Sequence, residues 1–525
     1  MEQHNEEQVP VVVVGAGPAG LAAAVLLARH GIDCLVLERR TQWSTLPRAT
    51  VVSLRTMEWL RAWGLEAEAR AGGNDVEWLL WECESLRQVA GGTAHGVGYP
   101  TVAQSAALSP TSPGCIPQDH LETVLRDHLR SLPSAQVLPG VEVTAVADGP
   151  DGPVVTARDV RTGAGRTLHA RYVVAADGAR SDVRRALGVP FRGDGDVVVG
   201  VHVQFRAPLW DLVGEHRYGI YVTTGNDAPG ILLPAGRGDR WLYGFEHDPA
   251  SGPAVADDHE LLATRITAAV GMSDPGPRIE RAAEFSAQAQ IADTFRVGGV
   301  FLVGDAAHRV TPRGGTGMNT AIADGIDLGW KLAWVLAGWA PATLLDSYER
   351  ERRPLVEHNL ARSADPTGTR RPAGSELAVD LAGRIDHQWV STPEGTVSTL
   401  DLVAHGATLL TGPRRSAWER AATVAATAPR VPVTVRPLDH VVARALGIAA
   451  AGASLLRPDG FPVADLDRSP RRRPLPAPRP HRHGHGHARC RHRRRPRRRL
   501  NTGDHAAPHR PTTRGARLTC RHTGR

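Results

Sequence analysis

Cysteine is scarce in this chain. Five are scattered over 525 residues (Cys34, Cys83, Cys115, Cys490 and Cys520), an odd number with no C-x-x-C pair. That excludes a disulfide framework and a structural zinc ribbon, no metal is expected, and a reducing, cytoplasmic location is. Lysine is scarcer still, with Lys331 the only one. Long apolar runs are missing too. Nothing reaches the roughly 18 apolar residues that a membrane-spanning helix needs, so no membrane span is expected. The segment Met1 to Gln8 is polar and acidic, unlike a secretory signal.

The net charge of +7 comes from one end. From Arg471 onward the chain holds 18 of the 62 Lys and Arg residues but one of the 55 acids. The rest carries 44 basic against 54 acidic residues, a net charge of −10. Phosphate groups must therefore be held there by local sets of amides and single arginines, not by a global positive field. The tail, rich in Arg, His, Pro and Gly, has no apolar pattern to bury and should be disordered. Three readings compete for it: a basic arm for nucleic acid, a loose metal site at His481, His483, His485 and His487, and GC-rich coding text read out of frame. The last is favoured, and nucleic acid is not expected as a partner.

What the chain does have begins at Val11 to Val14, which reads as a buried strand. It runs into Gly15-Ala16-Gly17-Pro18-Ala19-Gly20, a G-x-G-x-x-G turn, and then into an apolar helix from Leu21 to Ala28. A second strand, Cys34 to Leu37, ends on Glu38, eighteen residues after Gly20. Each part has a task in dinucleotide binding. Gly15 turns tightly, Gly17 lets backbone approach a pyrophosphate, and Gly20 lets helix pack on strand. The helix start offers unpaired N–H groups and a positive dipole end to the phosphates. Glu38 is placed to accept hydrogen bonds from a ribose.

Two later segments separate FAD from a nicotinamide. Val173 to Ala176 leads into Asp177-Gly178, and the strand Val300 to Val303 leads into Gly304-Asp305-Ala306-Ala307-His308. Pro312-Arg313-Gly314-Gly315-Thr316-Gly317-Met318-Asn319 then opens a helix expected from about Thr320 to Gly338. With these motifs in order, the chain resembles the FAD-dependent aromatic hydroxylases, single-component flavoprotein monooxygenases of the para-hydroxybenzoate hydroxylase type. The resemblance covers roughly residues 9 to 465. The tract Thr311 to Trp330 is most similar to hydroxylases that tailor aromatic polyketides.

The resemblance implies an α/β fold: a Rossmann-type FAD-binding domain with an interleaved mixed β-sheet substrate domain, a thioredoxin-like C-terminal domain and a disordered basic tail. The expected bounds are 9–190 and 291–384 for the FAD domain and its following helices, 191–290 for the sheet domain, 385–465 for the thioredoxin-like domain and 466–525 for the tail. The segment from about Asp75 to Ser109 is expected to cover the active site. The thioredoxin-like region has no redox C-x-x-C, which leaves it a structural or assembly role.

Site roles are implied in the same way. Asp305 would meet the ribityl or pyrophosphate of FAD, Asp177 would lie near FAD and the nicotinamide path, and Arg48 would meet the pyrophosphate. Gln118 would touch the ribityl chain. Pro312, Gly315, Gly317, Met318 and Asn319 would lie beside the flavin pyrimidine. Gly15, Gly17, Pro18, Ala19, Gly20, Glu38 and Arg39 complete the cofactor set. Physics supports the glycine-rich loop, because such a turn entering a helix presents amides and about half a positive charge. The plain alternatives are Asp305 as a helix cap and His308 as a packed structural histidine.

Only one G-x-G-x-x-G is present, so NAD(P)H is expected as a transient co-substrate that reduces FAD and leaves. The resemblance then implies O2 activation as a flavin C4a-hydroperoxide, attacked by an electron-rich phenol. The expected partner is a small, phenolic, polycyclic aromatic substrate; a homodimer is left open. His202, Arg217, Tyr221 and Arg313 are the candidates for activating the phenol, each with an alternative in sheet packing or surface charge. Baeyer–Villiger oxygenation is the alternative on the same scaffold. A flavin halogenase would need a W-x-W-x-I-P tract and an available lysine, and Trp78-Leu79-Leu80-Trp81 does not match. A nucleic-acid-interacting protein acting through its tail would leave the FAD motifs unexplained.

Overall fold

Val11, Val12 and Val13 have no solvent exposure, which is what an apolar run in a doubly covered parallel sheet produces. In the computed structural model, which describes residues 5–225, 228–247, 255–272, 276–393, 395–425 and 431–466, the strand Asn5–Val14 has parallel neighbours on both sides. The order across the sheet is Arg296–Val297, Val300–Leu302, Gly165–Ala175, Asn5–Val14, Cys34–Glu38 and Ala135–Pro139. A hairpin of Val141–Gly149 and Gly152–Asp159 pairs antiparallel with Gly165–Ala175. The readings of the basic tail fall outside the described residues.

The helix Pro18–Arg29 has ten of its twelve residues buried, and it crosses the helix Gly317–Leu336 closely. A Cβ at Gly325 would lie 2.2 Å from the Ala19 carbonyl oxygen, and one at Gly329 would lie 2.7 Å from the Leu26 Cβ. Side chains there would force the helices apart. The second helix starts three residues before its apolar pattern suggests, because Gly317 and Asn319, weak helix formers, make up its first turn.

A second sheet runs in the order His308–Arg309, Arg278–Ala292, Phe191–Arg206, Arg240–Glu246, Gly230–Pro234, Tyr218–Thr223, Glu77–Cys83, Thr93–Gly96. It extends beyond residues 191–290 at both edges. The segment 75–109, expected as a cover, supplies two strands here, Glu77–Cys83 joining in parallel to Tyr218–Thr223. The apolar alternation of Trp78 and Leu80, both buried, is what makes it a strand.

Near the end of the described chain, Ala407–Thr411 pairs in parallel with Val433–Pro437 and antiparallel with Ala453–Leu456, which pairs with Pro462–Leu466. The helices Ser416–Ala425 and His440–Ala445 fill the two connections. Buried charges bolt this region to the Gly317–Leu336 helix. Lys331 Nζ lies 2.7 Å from Asp327 and 3.1 Å from Glu351, and Arg457 lies 3.0 Å from Glu351. Among the described residues no helix is long and apolar enough to cross a membrane.

Candidate active site

Four adjacent parallel strands bring their carboxyl ends to one edge. Val14 leads to the glycine turn, Leu37 to Glu38, Ala175 to Asp177-Gly178, and Leu302 to Gly304-Asp305. Ligands of open parallel sheets sit at such an edge. Gly15 has φ +102°, and a Cβ there would lie 2.4 Å from the Ala176 carbonyl oxygen, so the turn needs glycine. At Gly20 a Cβ would lie 2.1 Å from the Gly15 oxygen. Gly17 is different. A Cβ there would meet nothing within 4 Å, so its backbone faces open space at the head of a helix without a side-chain cap. Pro18 opens that helix and Ala19 is buried under it. Glu38 turns inward, accepting from the amides of Ala16 (3.0 Å) and Arg40 (2.9 Å), while Arg39 is exposed.

Arg48, Gln118 and Asp305 gather around one space. Burial raises the carboxyl pKa of both Asp305 and Glu122, and the Arg48 charge offsets part of each rise. Glu122 also accepts from Gln118 Nε2 at 2.7 Å. Asp305 is exposed to solvent yet surrounded by enough protein for burial to raise its carboxyl, as a residue in a cleft should be. Asp177 has a carboxyl raised by burial; its Oδ2 accepts from the Val183 amide at 3.1 Å and its Oδ1 is buried without a partner. Thr316, at the head of the Gly317–Leu336 helix, has a buried, unpartnered hydroxyl and provides no side-chain cap. Uncapped helix ends, an open Gly17 and orphaned polar atoms along one edge fit a dinucleotide with phosphates and a polar ring.

The glycine-rich loop is held from behind. Tyr99, from the 75–109 segment, donates to the Gly315 carbonyl at 3.0 Å, and burial drives its phenol pKa well up. Gly315 has φ +63° and Pro312 is exposed, with Gly317 and the buried Met318 opening the helix. The side chain of Asn319 proves structural. Its Oδ1 accepts from the Ser53 amide (2.8 Å) and the Thr56 hydroxyl (3.0 Å), and its Nδ2 donates to the Val51 carbonyl at 3.1 Å. Only its backbone remains for a ligand.

Beneath Asp305, the fully buried His308 places Nε2 2.5 Å from Asp324, which also accepts from the Gly304 amide at 3.0 Å and Arg352 Nε at 2.8 Å. Burial alone would raise the Asp324 carboxyl, but His308 and Arg352 outweigh it and hold it low. His308 thus takes the packed structural role. Tyr99, Asp324 and Arg352 were not singled out from sequence; an acid inside an apolar helical stripe was the available signal for Asp324.

Strand alternation separates the four phenol candidates. Tyr221, Leu232, Tyr243 and Val203 are register neighbours, fully buried with Phe205 and Trp241 against Leu262 and Ile266. His202, Gly244, Ile231 and Val222 form the adjacent row on the opposite face. Tyr221 is therefore no candidate. Its hydroxyl donates to the His216 carbonyl at 2.7 Å and accepts from the Tyr218 amide at 3.0 Å, and burial pushes its pKa up. Arg217 is no candidate either, being an exposed residue stacked 4.8 Å over Trp210 with Nε donating to the Gly214 carbonyl. His202 remains. Arg313 reaches from the glycine-rich loop to Glu246 at 3.1 Å, and Glu246 pairs with Gly200, on the same face as His202.

A family model described as an FAD binding domain matches residues 8–363. The chain belongs to the FAD-dependent aromatic hydroxylases. This hydroxylase is 32% identical to a tetracenomycin A2 monooxygenase-dioxygenase of Streptomyces glaucescens, over 87% of this chain and 93% of that protein. It is 33% identical to an aklavinone 12-hydroxylase of Streptomyces purpurascens, over 87% and 95% of the two chains. The solved ternary complex of aklavinone-11 hydroxylase with FAD and aklavinone superposes with a TM-score of 0.78 at 31% identity, covering 90% of this chain and 97% of that one. The hydroxylase is thus an FAD-dependent monooxygenase of mixed α/β fold, and its cofactor is FAD.

Proposed function

We propose that this hydroxylase oxygenates a phenolic, polycyclic natural-product ring, consuming NAD(P)H and O2. The observation that carries this reading is the open, largely apolar sheet face to which Arg313 of the glycine-rich loop reaches, where Ile231 is 43% exposed and the row includes Val222, Gly244 and His202. Relatives named for tetracenomycin and aklavinone chemistry support a flat, multi-ring occupant of that face. FAD, when bound, supplies hydride acceptance and oxygen activation.

The chain's own residues do the rest. The amides around Gly17 and the first turn after Pro18 would hold the pyrophosphate, with Arg48 as the local positive charge that an acidic body otherwise lacks. Asp305 and Gln118 would hold the sugar-alcohol chain. The backbone amides of Gly317, Met318 and Asn319 would face the pyrimidine edge, where reduced flavin is negative, and favour that state through the helix dipole. Apolar walls exclude water from the reacting ring. With no second G-x-G-x-x-G, NAD(P)H would come and go through the same cleft.

The topology of residues 407–466, two parallel strands followed by an antiparallel pair, supports the thioredoxin-like reading of that region. Buried thiols at Cys34, Cys83 and Cys115 suit a reducing compartment.

The test uses purified enzyme, NADPH or NADH, 18O2 and a panel of polyphenolic multi-ring compounds. One 18O atom in a hydroxylated product supports the reading. Incorporation only as a ring-expanded lactone, or none from any aromatic compound, overturns it.

A further inference from the structure

His202 is the one titratable side chain of its row that the packing leaves without work. It is half-buried, and neither ring nitrogen has a hydrogen-bond partner among the described residues. Its neighbours in the row are Gly244, where a Cβ would meet nothing nearer than 3.8 Å, and then Ile231. The space in front of the imidazole is therefore unfilled by the sheet itself. The ring leans on Phe285 at 5.8 Å, which limits its swing. Arg48 is near enough for its charge to act on His202 as well as on Asp305. The Arg313–Glu246 contact brings the glycine-rich loop to the sheet face that carries His202, so that face looks towards the candidate FAD site and is not an outer surface.

Resting on the aromatic-hydroxylase reading above, we propose that His202 is the catalytic residue that accepts the proton of the substrate's phenolic hydroxyl. A protonated phenol is a weak nucleophile at its ring carbon, and ionisation raises electron density there. The phenolic O–H bond breaks, the proton forms an N–H bond on the imidazole, and the electron pair stays on the phenolate oxygen. When the oxygenated ring regains aromaticity and gives up its ring proton to water, the imidazolium returns its proton to that same oxygen. The base is thereby restored without any further reactant.

Electrostatics suit this task. Burial, Arg281 and Arg48 all hold the imidazole pKa below its ordinary value, so it is neutral and able to accept at pH 7. Those two arginines are the charged groups facing it, one from the neighbouring strand Arg278–Ala292 and one from the loop after Cys34–Glu38. Arg48 also favours a phenolate in front of the ring. A positioned base of this kind contributes about 10²–10⁴-fold to rate.

The experiment compares wild type with His202→Asn and His202→Gln, each checked for FAD content, in holoenzyme form. The first readout is not turnover: a hydroxyanthraquinone, whose phenolate absorbs at longer wavelength than its phenol, is added under anaerobic conditions. Wild type should shift it to the phenolate spectrum at pH 7 and both variants should not. In turnover, the variants should lose about 100-fold in hydroxylation at pH 7, recover as pH approaches the phenol pKa, and keep their rate of FAD reduction. An unchanged pH profile and spectrum in the variants would overturn the proposal, as would loss of reduction by NAD(P)H with hydroxylation otherwise coupled. Failure of wild type to oxygenate any phenol is a separate result, and it removes the hydroxylase reading instead.

Discussion

Single residues divide into those whose role follows from the chain's local grammar and those whose role depends on distant partners. Gly15, Gly17 and Gly20 were legible because each answers a backbone need within a few residues: a Cβ would crowd backbone atoms at Gly15 and Gly20 and meet open space at Gly17. Asn319 was half legible. Its place at the helix start followed from the motif, but its amide is spent on residues 51 to 56, more than 260 positions away, which no local pattern records. Tyr221 misled because an aromatic hydroxyl on a predicted strand says nothing of which face it takes until register is known. For Asp305 the expectation is direct. Replacing it with alanine removes a positioned, charge-bearing acceptor, a loss of about 1.5–3 kcal/mol, so the dissociation constant for FAD should rise about 10- to 100-fold. Fluorescence titration of apoprotein with FAD measures this, and unchanged affinity would remove Asp305 from the cofactor site.

Elements were more legible than their allegiances. The strand–turn–helix at the start and the helix after the glycine-rich loop follow from apolar period and glycine spacing. The strand allegiance of 75–109 did not, because which sheet a half-buried hairpin joins is decided by its partner, here the strand Tyr218–Thr223. The two central helices test the packing argument. Gly325→Val would drive a side chain into the Ala19 backbone, and with so little give in backbone atoms it should destabilise the protein by about 1–3 kcal/mol or more. Thermal melts of holoprotein would show a fall of several degrees together with FAD release. The same helix predicts a pH effect. Burial pushes the Asp327 carboxyl up to about 6 despite Lys331, against about 3.9 in an unfolded chain. The native state therefore binds this proton more tightly, so its contribution to stability is greatest below about pH 4 and is lost as pH rises towards 6. Comparing melts of wild type and Asp327→Asn across that range should show the difference between them changing in that window and level outside it.

At the scale of the whole molecule, the described residues already hold every element of the candidate site, so deleting residues 472–525 should leave FAD content and turnover nearly unchanged. Loss of activity on truncation would make the tail part of the enzyme. The larger question is how, on the proposed reading, one cleft would serve two partners. On the proposed reading, NAD(P)H and the aromatic substrate approach the same FAD, so geometry rather than separate sites would impose the order of events. The loop from Pro312 to Asn319 is where that geometry is adjustable. It contacts the second sheet through Arg313 and Glu246 and the 75–109 segment through Tyr99, so on the proposed reading occupancy of the substrate face would reach the flavin through these contacts. Gly315 is the sensitive point: its φ of +63° disfavours any other residue, and a Cβ would come within 2.7 Å of Val51. Gly315→Val should therefore slow flavin reduction or uncouple oxygenation by about 10-fold or more while weakening FAD binding far less, since the FAD contacts proposed for Gly17, Arg48 and Asp305 are untouched. Stopped-flow reduction with and without a multi-ring phenol measures the first effect, and FAD titration the second. A wild type that reduces its flavin at one rate whatever phenol is present would show that the cleft does not impose order, and the loop would then be a fixed cradle.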